Sequence, residues 1–225
     1  MSHRPEAILF DAGGTLVLQD PAALSERLGH VIAEEAAFEA HYRSMEAFAR
    51  RRQAGSDDSW AWWQERYFGS LGVDRPELAG AKVDNGYGMW HLPIGGTREA
   101  LAELREMGIR TAVVSNSDGS VRQSLAQAGF QPLIEFVIDS HEAGVSKPDP
   151  GIFRYALDLL KQDPETTWYV GDSIFHDVGG ALAAGLGRAL LIDPFDLHLD
   201  YEHRIPGVAA LPSLIRGLGQ DKSRP

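Results

Sequence analysis

The sequence predicts an α/β protein whose doubly wound parallel sheet carries an inserted α-helical domain. Short apolar runs recur along the chain and end in glycine or polar residues, which is typical of buried parallel strands. Amphipathic helical segments lie between these runs, so strand and helix alternate. One long segment, residues 17–93, interrupts the alternation and is rich in helix-forming residues. These features together predict a core of sheet and helices with one helical insertion.

Five apolar runs are predicted to be strands of the sheet. They cover residues 7–10, 111–114, 136–138, 168–170 and 189–192. Each run is followed directly by polar residues. Ligands of doubly wound sheets bind outside the carboxyl ends of the strands. The sequence therefore predicts a functional site at that edge of the sheet.

Four helices are predicted between the strands, at residues 98–107, 121–128, 152–160 and 178–184. In the first of them Leu101, Leu104 and Met107 share one face, and Gly108 follows where a C-terminal cap belongs. The short connections between these helices and the strands favour a single parallel sheet with helices on both faces.

Residues 17–93 are predicted to form a helical cap domain, and residues 1–16 and 94–225 the catalytic core. Residues 24–49 are typical of one or two helices, and residues 59–71 of another; no strand is predicted in this block. The second segment carries Trp60, Trp62 and Trp63. These rings could face a substrate, but aromatic residues of a small helical domain more often pack its interior.

Composition excludes several classes of function. The formal net charge of −11 argues against nucleic-acid binding, because phosphate backbones demand clustered Lys and Arg. No apolar run reaches the roughly 20 residues that a bilayer requires, and residues 1–6 lack the apolar stretch of a signal peptide. Without cysteine there is no disulfide and no thiol nucleophile. We therefore expect a cytoplasmic protein without nucleic-acid or membrane partners; the sequence makes no prediction about oligomeric state.

The polar residues at the strand ends are of the types that phosphate chemistry uses. Asp11 is followed by two glycines, a turn that brings backbone N–H groups close to an anion. Asp11 with Asp172 forms a hard oxygen site of the kind that Mg²⁺ prefers. Lys147 lies in a Ser-Lys-Pro-Asp-Pro loop whose prolines restrict its backbone, and Ser115 supplies a hydroxyl for phosphate oxygens.

These segments resemble, in order, the four motifs of the haloacid dehalogenase (HAD) superfamily. The matching segments are residues 10–16 (Phe-Asp-Ala-Gly-Gly-Thr-Leu), 114–116 (Val-Ser-Asn), 146–150 (Ser-Lys-Pro-Asp-Pro) and 171–177 (Gly-Asp-Ser through Asp177). The helical block between the first and second motifs is placed like the cap domain of that family. The resemblance covers residues 7–194 and implies a Rossmann-like catalytic core.

The resemblance implies a hydrolase that transfers a phosphoryl group from a small phosphorylated metabolite. Asp11 would be the nucleophile that forms a covalent aspartyl-phosphate intermediate. Ser115 and Lys147 would hold the transferred group, and Thr15 and Asn116 would belong to the same substrate-binding set.

The resemblance also implies a Mg²⁺ cofactor. Its ligands would come from Asp11, Asp172, Asp177 and the backbone carbonyl of Gly13. Asp177 is expected to orient the site from the second shell rather than to bind the ion directly.

Gly13 is the position at which the sequence departs from the family. Phosphatases of this type usually carry a second Asp there, a general acid and base of the kind that contributes roughly 10²–10⁴-fold to rate. One hypothesis keeps the phosphatase, either slow or with an acid/base from the cap. Candidates by composition are His30, His41, Glu34, Glu35, Asp57 and Asp58. We expect Gly13→Asp to raise turnover if the rest of the site is intact.

Two other hypotheses remain open. The protein could cleave another bond, as a dehalogenase or a phosphonatase does, since both branches of the superfamily lack the second Asp. A phosphonatase needs a cap lysine, and Lys82 is the only lysine between residues 17 and 93. Alternatively, the protein could be a ligand-binding or regulatory module that keeps the fold without turnover.

Overall fold

The protein is described by a computed structural model over residues 4–55, 59–73 and 89–220. Its strands are β1 (Ala7–Phe10), β2 (Val17–Gln19), β3 (Trp90–Pro93), β4 (Arg110–Ser115), β5 (Phe136–Asp139), β6 (Thr167–Gly171), β7 (Arg188–Ile192) and β8 (Arg204–Ile205). Its α-helices are α1 (Pro21–Leu28), α2 (Glu34–Gln53), α3 (Trp60–Ser70), α4 (Thr97–Glu106), α5 (Val121–Gln127), α6 (Ser140–Ala143), α7 (Pro150–Leu160), α8 (Gly180–Ala183) and α9 (Leu211–Gln220).

Six strands form the central sheet in the order β5-β4-β1-β6-β7-β8, and all five pairings are parallel. The predicted α/β class is confirmed, and each of the five predicted strands is present. The two-residue strand β8 at the edge was not predicted, because so short a segment carries no readable pattern.

The strand β1 shows why the sheet is buried on both sides. Successive side chains of a strand point to opposite faces. Ile8 and Phe10 therefore pack with the helices α4, α5 and α9, whereas Ala7 and Leu9 pack with α7 and α8. All four residues are fully buried, which a parallel sheet covered by two helical layers requires.

The helices α1, α2 and α3 surround a separate apolar cluster, which we call the cap core. Its centre is Trp63, which stacks on Tyr67 with a centroid distance of 5.0 Å and on Trp60 at 4.3 Å. The interpretation that these tryptophans pack the cap is correct for Trp63, which is buried. Trp60 remains half exposed.

The expectation of no strand between residues 17 and 93 is wrong. Strands β2 and β3 pair antiparallel at the two ends of this block. Three- and four-residue strands are shorter than the window over which alternation becomes visible, which is why the sequence pattern missed them. The division of the chain into a core and a cap at residues 16 and 93 stays a prediction.

The helix predicted at residues 178–184 has a different form. A π-helical turn, Ile174–Gly179, precedes α8, and Ser173 begins it by accepting a hydrogen bond from the His176 N–H at 3.1 Å. Wide turns of this kind are frequent at functional sites. In the described ranges, no helix is both long enough and apolar enough to cross a membrane.

The contact between α8 and α7 leads to a stability prediction. A Cβ atom at Gly180 would lie 2.6 Å from Cε2 of the buried Phe153 and 3.0 Å from Cα of Pro148, whereas one at Gly179 would meet nothing closer than 3.6 Å. We expect Gly180→Ala to lower the free energy of unfolding by about 1–3 kcal/mol through overpacking. Gly179→Ala is the control, because both glycines have helical backbone angles. Urea denaturation measures both variants, and equal effects would contradict this packing.

Candidate functional site

The carboxyl ends of β1, β4 and β6 meet around one cavity of about 650 Å³. Strand β1 pairs with β4 on one side and β6 on the other, so residues that follow Phe10, Val114 and Gly171 converge. The cavity is lined by seven of the eight residues that the sequence singles out: Asp11, Gly13, Ser115, Asn116, Lys147, Asp172 and Asp177.

Thr15 is the exception among the predicted site residues. It is fully buried and does not line the cavity, because the chain folds back after Gly14 and the backbone of Thr15 hydrogen-bonds to Ala12. Its hydroxyl has no hydrogen-bond partner among the described residues. The structure therefore gives no support to Thr15 as a substrate contact.

The ammonium group of Lys147 joins the parts of the site. Its Nζ donates to Oδ1 of Asp11 at 2.7 Å, to Oδ1 of Asp177 at 2.7 Å and to the hydroxyl of Tyr169 at 3.0 Å. An ammonium has three donors, so these contacts use all of them. The side chain of Lys147 is only 3% exposed, which makes the pairing strong and its removal costly.

Asn116 holds the backbone of Lys147 in place. Its amide Nδ2 donates to the Lys147 carbonyl at 2.8 Å, and its Oδ1 accepts from the Lys147 N–H at 2.8 Å. This paired contact joins the loop after β4 to the loop before α7. The structure thus gives Asn116 a positioning role, whereas the resemblance implied a direct substrate contact.

Asp177 is held from both sides of its carboxylate. Oδ1 accepts from Lys147 and lies 2.9 Å from the Tyr169 hydroxyl, and Oδ2 accepts from the Ser173 N–H at 2.9 Å. Gly171 makes this approach possible, because a Cβ atom there would lie 2.3 Å from Cγ of Asp177. Both oxygens of Asp177 are thus engaged, and the main effect of this carboxylate is to hold the ammonium group of Lys147 in place.

The cap reaches the core through two neighbouring residues of α2. The imidazole Nε2 of His41 lies 2.6 Å from Oδ2 of Asp172, and both side chains are buried. The hydroxyl of Tyr42 donates to the Gly14 carbonyl at 2.7 Å. Gly14 has φ +71°, and a Cβ atom there would lie 2.2 Å from both His41 Nε2 and Asp172 Oδ2. Only glycine allows this contact without displacement.

The indole of Trp90 fills the space beside Gly13. A Cβ atom at Gly13 would lie 3.0 Å from Cζ3 and 3.2 Å from Cε3 of Trp90. A carboxylate at position 13, the usual acid and base of the family, would have to displace this ring. The loss of that carboxylate and the position of Trp90 are therefore two parts of one arrangement.

Of the six acid/base candidates proposed from composition, only His41 lines the cavity among those that the structure describes. His30 contacts the carbonyl of Leu71 at 3.0 Å instead. Glu34 and Glu35 do not line the cavity either. The candidates Asp57, Asp58 and Lys82 lie outside the described residues.

Burial dominates the electrostatics of the carboxylates. It raises the pKa of Asp11 from 3.8 to about 7, although Lys147 opposes the rise. Burial also raises the pKa of Asp172, against the opposing contact with His41. Burial lowers the pKa of Lys147, but the adjacent carboxylates of Asp11 and Asp177 raise it above its ordinary value. Three carboxylates, those of Asp11, Asp172 and Asp177, thus lie around one ammonium group, that of Lys147.

Three carboxylates are close enough to share a cation. Oxygen atoms of Asp11, Asp172 and Asp177 all lie within 4.8 Å of one another. Oδ2 of Asp11 and Oδ1 of Asp172 accept no hydrogen bond from the residues that the structure describes. Hard oxygen donors with uncompensated charge suit a divalent cation, so this donor set fits the metal that the sequence implied.

Four side chains shape the site without belonging to a motif: His41, Tyr42, Trp90 and Tyr169. The first three act through tertiary contacts between cap and core, which sequence spacing does not encode. Tyr169 had a usable signal, because a buried tyrosine hydroxyl in a strand needs a partner; the structure supplies Asp177 and Lys147.

Comparisons with known sequences agree with these motifs. A family model described as haloacid dehalogenase-like hydrolase matches residues 5–185. A protein named haloacid dehalogenase-like hydrolase domain-containing protein 3 is 36% identical in Homo sapiens, over 54% of this chain and 48% of that protein. Its Mus musculus counterpart is 30% identical over 95% of this chain and 93% of that protein. The match thus spans about half the length of the human relative.

A phosphoserine phosphatase from Thermus thermophilus is 39% identical over 41% of this chain and 37% of that protein. Among solved structures, a HAD phosphatase from Thermococcus onnurineus superposes with a TM-score of 0.61 at 25% identity, covering 94% of this chain and 98% of that chain. The L-2-haloacid dehalogenase from Xanthobacter autotrophicus gives 0.63 at 23% identity, covering 95% and 99%. The latter likeness concerns the fold alone.

The raised pKa of Asp11 predicts a pH-dependent stability of the metal-free protein. Between its ordinary pKa of 3.8 and its folded pKa of about 7, the unfolded chain has lost a proton that the folded chain keeps. Stability is therefore lost as pH rises through this window. We expect the Tm of Asp11→Asn, relative to the unsubstituted protein, to increase from about pH 5 to about pH 7 and then level off. Thermal unfolding in EDTA measures it, and a pH-independent difference would contradict the raised pKa.

Proposed function

The chain belongs to the haloacid dehalogenase-like hydrolases, and on that premise we propose that it is a Mg²⁺-dependent phosphatase acting through an aspartyl-phosphate on Asp11. The observation that carries the proposal is the contact of Lys147 with Asp11 at 2.7 Å inside a cavity that the other two motifs also line. The phosphatases among the relatives and structural neighbours support this class of reaction.

Asp11 is the carboxylate best placed to attack a substrate. Its side chain is 13% exposed, whereas those of Asp172 and Asp177 are 2% and 1% exposed. Lys147 donates to one of its oxygens, Oδ1, and so fixes the orientation of the carboxylate toward the cavity. The same ammonium group offsets charge that develops on the transferred phosphoryl group.

Ser115 completes the phosphate-binding side of the cavity. It ends β4, is 6% exposed and lines the cavity, so its hydroxyl is available to a phosphate oxygen. Its neighbour Asn116 contributes by fixing Lys147. Substrate binding thus rests on one hydroxyl and one fixed cation.

The Mg²⁺ ion would be held by Asp11, Asp172 and the backbone carbonyl of Gly13. When bound, it would neutralise phosphate charge and orient the transferred group. The His41 imidazole on Oδ2 of Asp172 leaves Oδ1 of that carboxylate for the metal. A hydrogen-bond partner of this kind orients the ligand and tunes metal affinity.

The leaving group receives no proton from position 13. Trp90 fills that space, and the neighbouring Ala12 and Gly14 have no proton to give. Esters of alcohols, which leave as strongly basic alkoxides, depend on such a donor. We propose that substrates are phosphate compounds whose leaving group departs as a stable anion.

Steady-state kinetics test the proposal directly. Acetyl phosphate and Mg²⁺ are expected to support phosphate release that EDTA abolishes and that Asp11→Asn reduces by roughly a thousandfold or more. Asp158→Asn on the exposed side of α7 is the matched control and should retain activity. Halide release from L-2-chloropropionate without any phosphate release would contradict the phosphatase and favour the dehalogenase hypothesis.

The position of Trp90 corrects the expectation that Gly13→Asp alone raises turnover. We now expect no gain from that variant, because the new side chain meets the indole at 3.0 Å. Gly13→Asp combined with Trp90→Ala is expected to raise hydrolysis of glycerol 3-phosphate about a hundredfold over Trp90→Ala alone, within the range of positioned acids. A gain in the single variant Gly13→Asp would show that Trp90 does not block the position.

A further inference from the structure

The cap side of the cavity is apolar and largely aromatic. Helix α2 contributes Met45 and Phe48, helix α3 contributes Trp60 and Ala61, and strand β3 contributes Trp90. The described polar residues that the cap adds are His41, which contacts Asp172, and Gln64. This wall faces the part of a substrate that lies beyond the phosphate.

The charged side chains of helix α2 do not line the cavity. Arg50 pairs with Glu46 one turn earlier. The guanidinium groups of Arg51 and Arg52 lie over the rings of Trp62 and Phe175, at 4.9 and 4.1 Å from the ring centroids. Within the described ranges, the cap thus places no Lys, Arg, Asp or Glu side chain on the cavity wall. A charged leaving group would lose hydration against this wall, and the ionisable residues Asp118 and His176 that line the same cavity belong to the core.

Trp60 is a flat, exposed ring held in a fixed orientation. It is 49% exposed although it is one of the largest apolar side chains, and it lines the cavity. Its ring stacks on Trp63 with an interplanar angle of 4°, and Trp63 stacks on Tyr67 at 8°. A rigid ring of this kind binds another planar ring at low entropic cost.

We propose that the substrates of this site are aromatic phosphates, in which an uncharged ring packs against Trp60 and the leaving oxygen departs as a carboxylate or an acidic phenolate. The inference rests on the proposed phosphatase function and specifies its substrate class. Two features support it: the aromatic cap wall and the missing proton donor at Gly13. The cavity volume of about 650 Å³ accommodates a ring in addition to the phosphate.

The reaction balances without a proton donor. An oxygen of Asp11 forms a bond to phosphorus while the bond from phosphorus to the leaving oxygen breaks. The leaving group takes that electron pair and departs as an anion. Water then hydrolyses the aspartyl-phosphate, which restores the Asp11 carboxylate and releases inorganic phosphate, and the remaining proton passes to solvent.

Benzoyl phosphate and acetyl phosphate are the matched pair of substrates that tests the proposal. Both lose a carboxylate of similar basicity, so the ratio of their kcat/KM values measures contact with the ring rather than leaving-group chemistry. We expect benzoyl phosphate to be preferred about tenfold, in the range expected of an aromatic contact. Trp60→Ala is expected to remove most of this preference. Trp60→Leu, which keeps an apolar side chain without a ring, should reduce it as well.

Tyr155→Ala is the control, because Tyr155 is an aromatic residue of similar exposure, 47% against 49% for Trp60, and does not line the cavity. It should leave the ratio unchanged. Equal kcat/KM for the two substrates, or a ratio that Trp60 variants do not alter, would overturn the aromatic substrate class while leaving the phosphatase intact.

Binding of non-hydrolysable analogues separates the two proposals. Calorimetry compares benzylphosphonate with methylphosphonate in the presence of Mg²⁺. If neither acyl phosphate is hydrolysed but benzylphosphonate binds about tenfold more tightly and Trp60→Ala removes this difference, the phosphatase is overturned and the aromatic subsite stands. If the two phosphonates bind equally, the aromatic subsite is overturned.

Discussion

The ammonium group of Lys147 sits between the carboxylates of Asp11 and Asp177, and the rest of the site is arranged to keep it there. Asn116 fixes the lysine backbone. Gly171, which ends β6, has no side chain and so lets the Asp177 carboxylate lie close enough to bind Lys147. A buried charge of this kind is stable only with its partners present. The same contact that satisfies the lysine therefore places the nucleophile at the carboxyl end of β1, facing the cavity.

The loop after β1 is also where the cap meets the core. Tyr42 binds the carbonyl of Gly14, His41 binds Asp172, and Trp90 lies against Gly13. The glycines at positions 13 and 14 thus make room for cap side chains. An acid at position 13 would require the ring of Trp90 to shift, so the missing proton donor and the aromatic ring beside it are linked. The residues at positions 13 and 90 therefore bear together on two properties of the leaving group, its basicity and its shape.

The sequence predicts most of the sheet and the identity of the central residues, because a buried strand that ends in Asp-x-Gly-Gly fixes both burial and position. Asp11 and Asp172 could be placed at one edge from parallel topology, and Lys147 from the resemblance of its loop to the third motif. The contacts of His41 and Trp90 could not, since they depend on how residues far apart in the chain pack. Asn116 shows the same limit. Its motif predicted its location, but only the structure shows that its side-chain amide hydrogen-bonds to the backbone of Lys147.

The central claim is that Asp11 becomes covalently phosphorylated. The direct measurement is to quench the Mg²⁺-loaded protein with acid during turnover of acetyl phosphate, reduce it with borohydride, and map the product by peptide mass spectrometry. Reduction of an aspartyl-phosphate converts the aspartate to homoserine, so we predict homoserine at position 11. Phosphate release without modification at position 11, or modification at another carboxylate, would contradict the account.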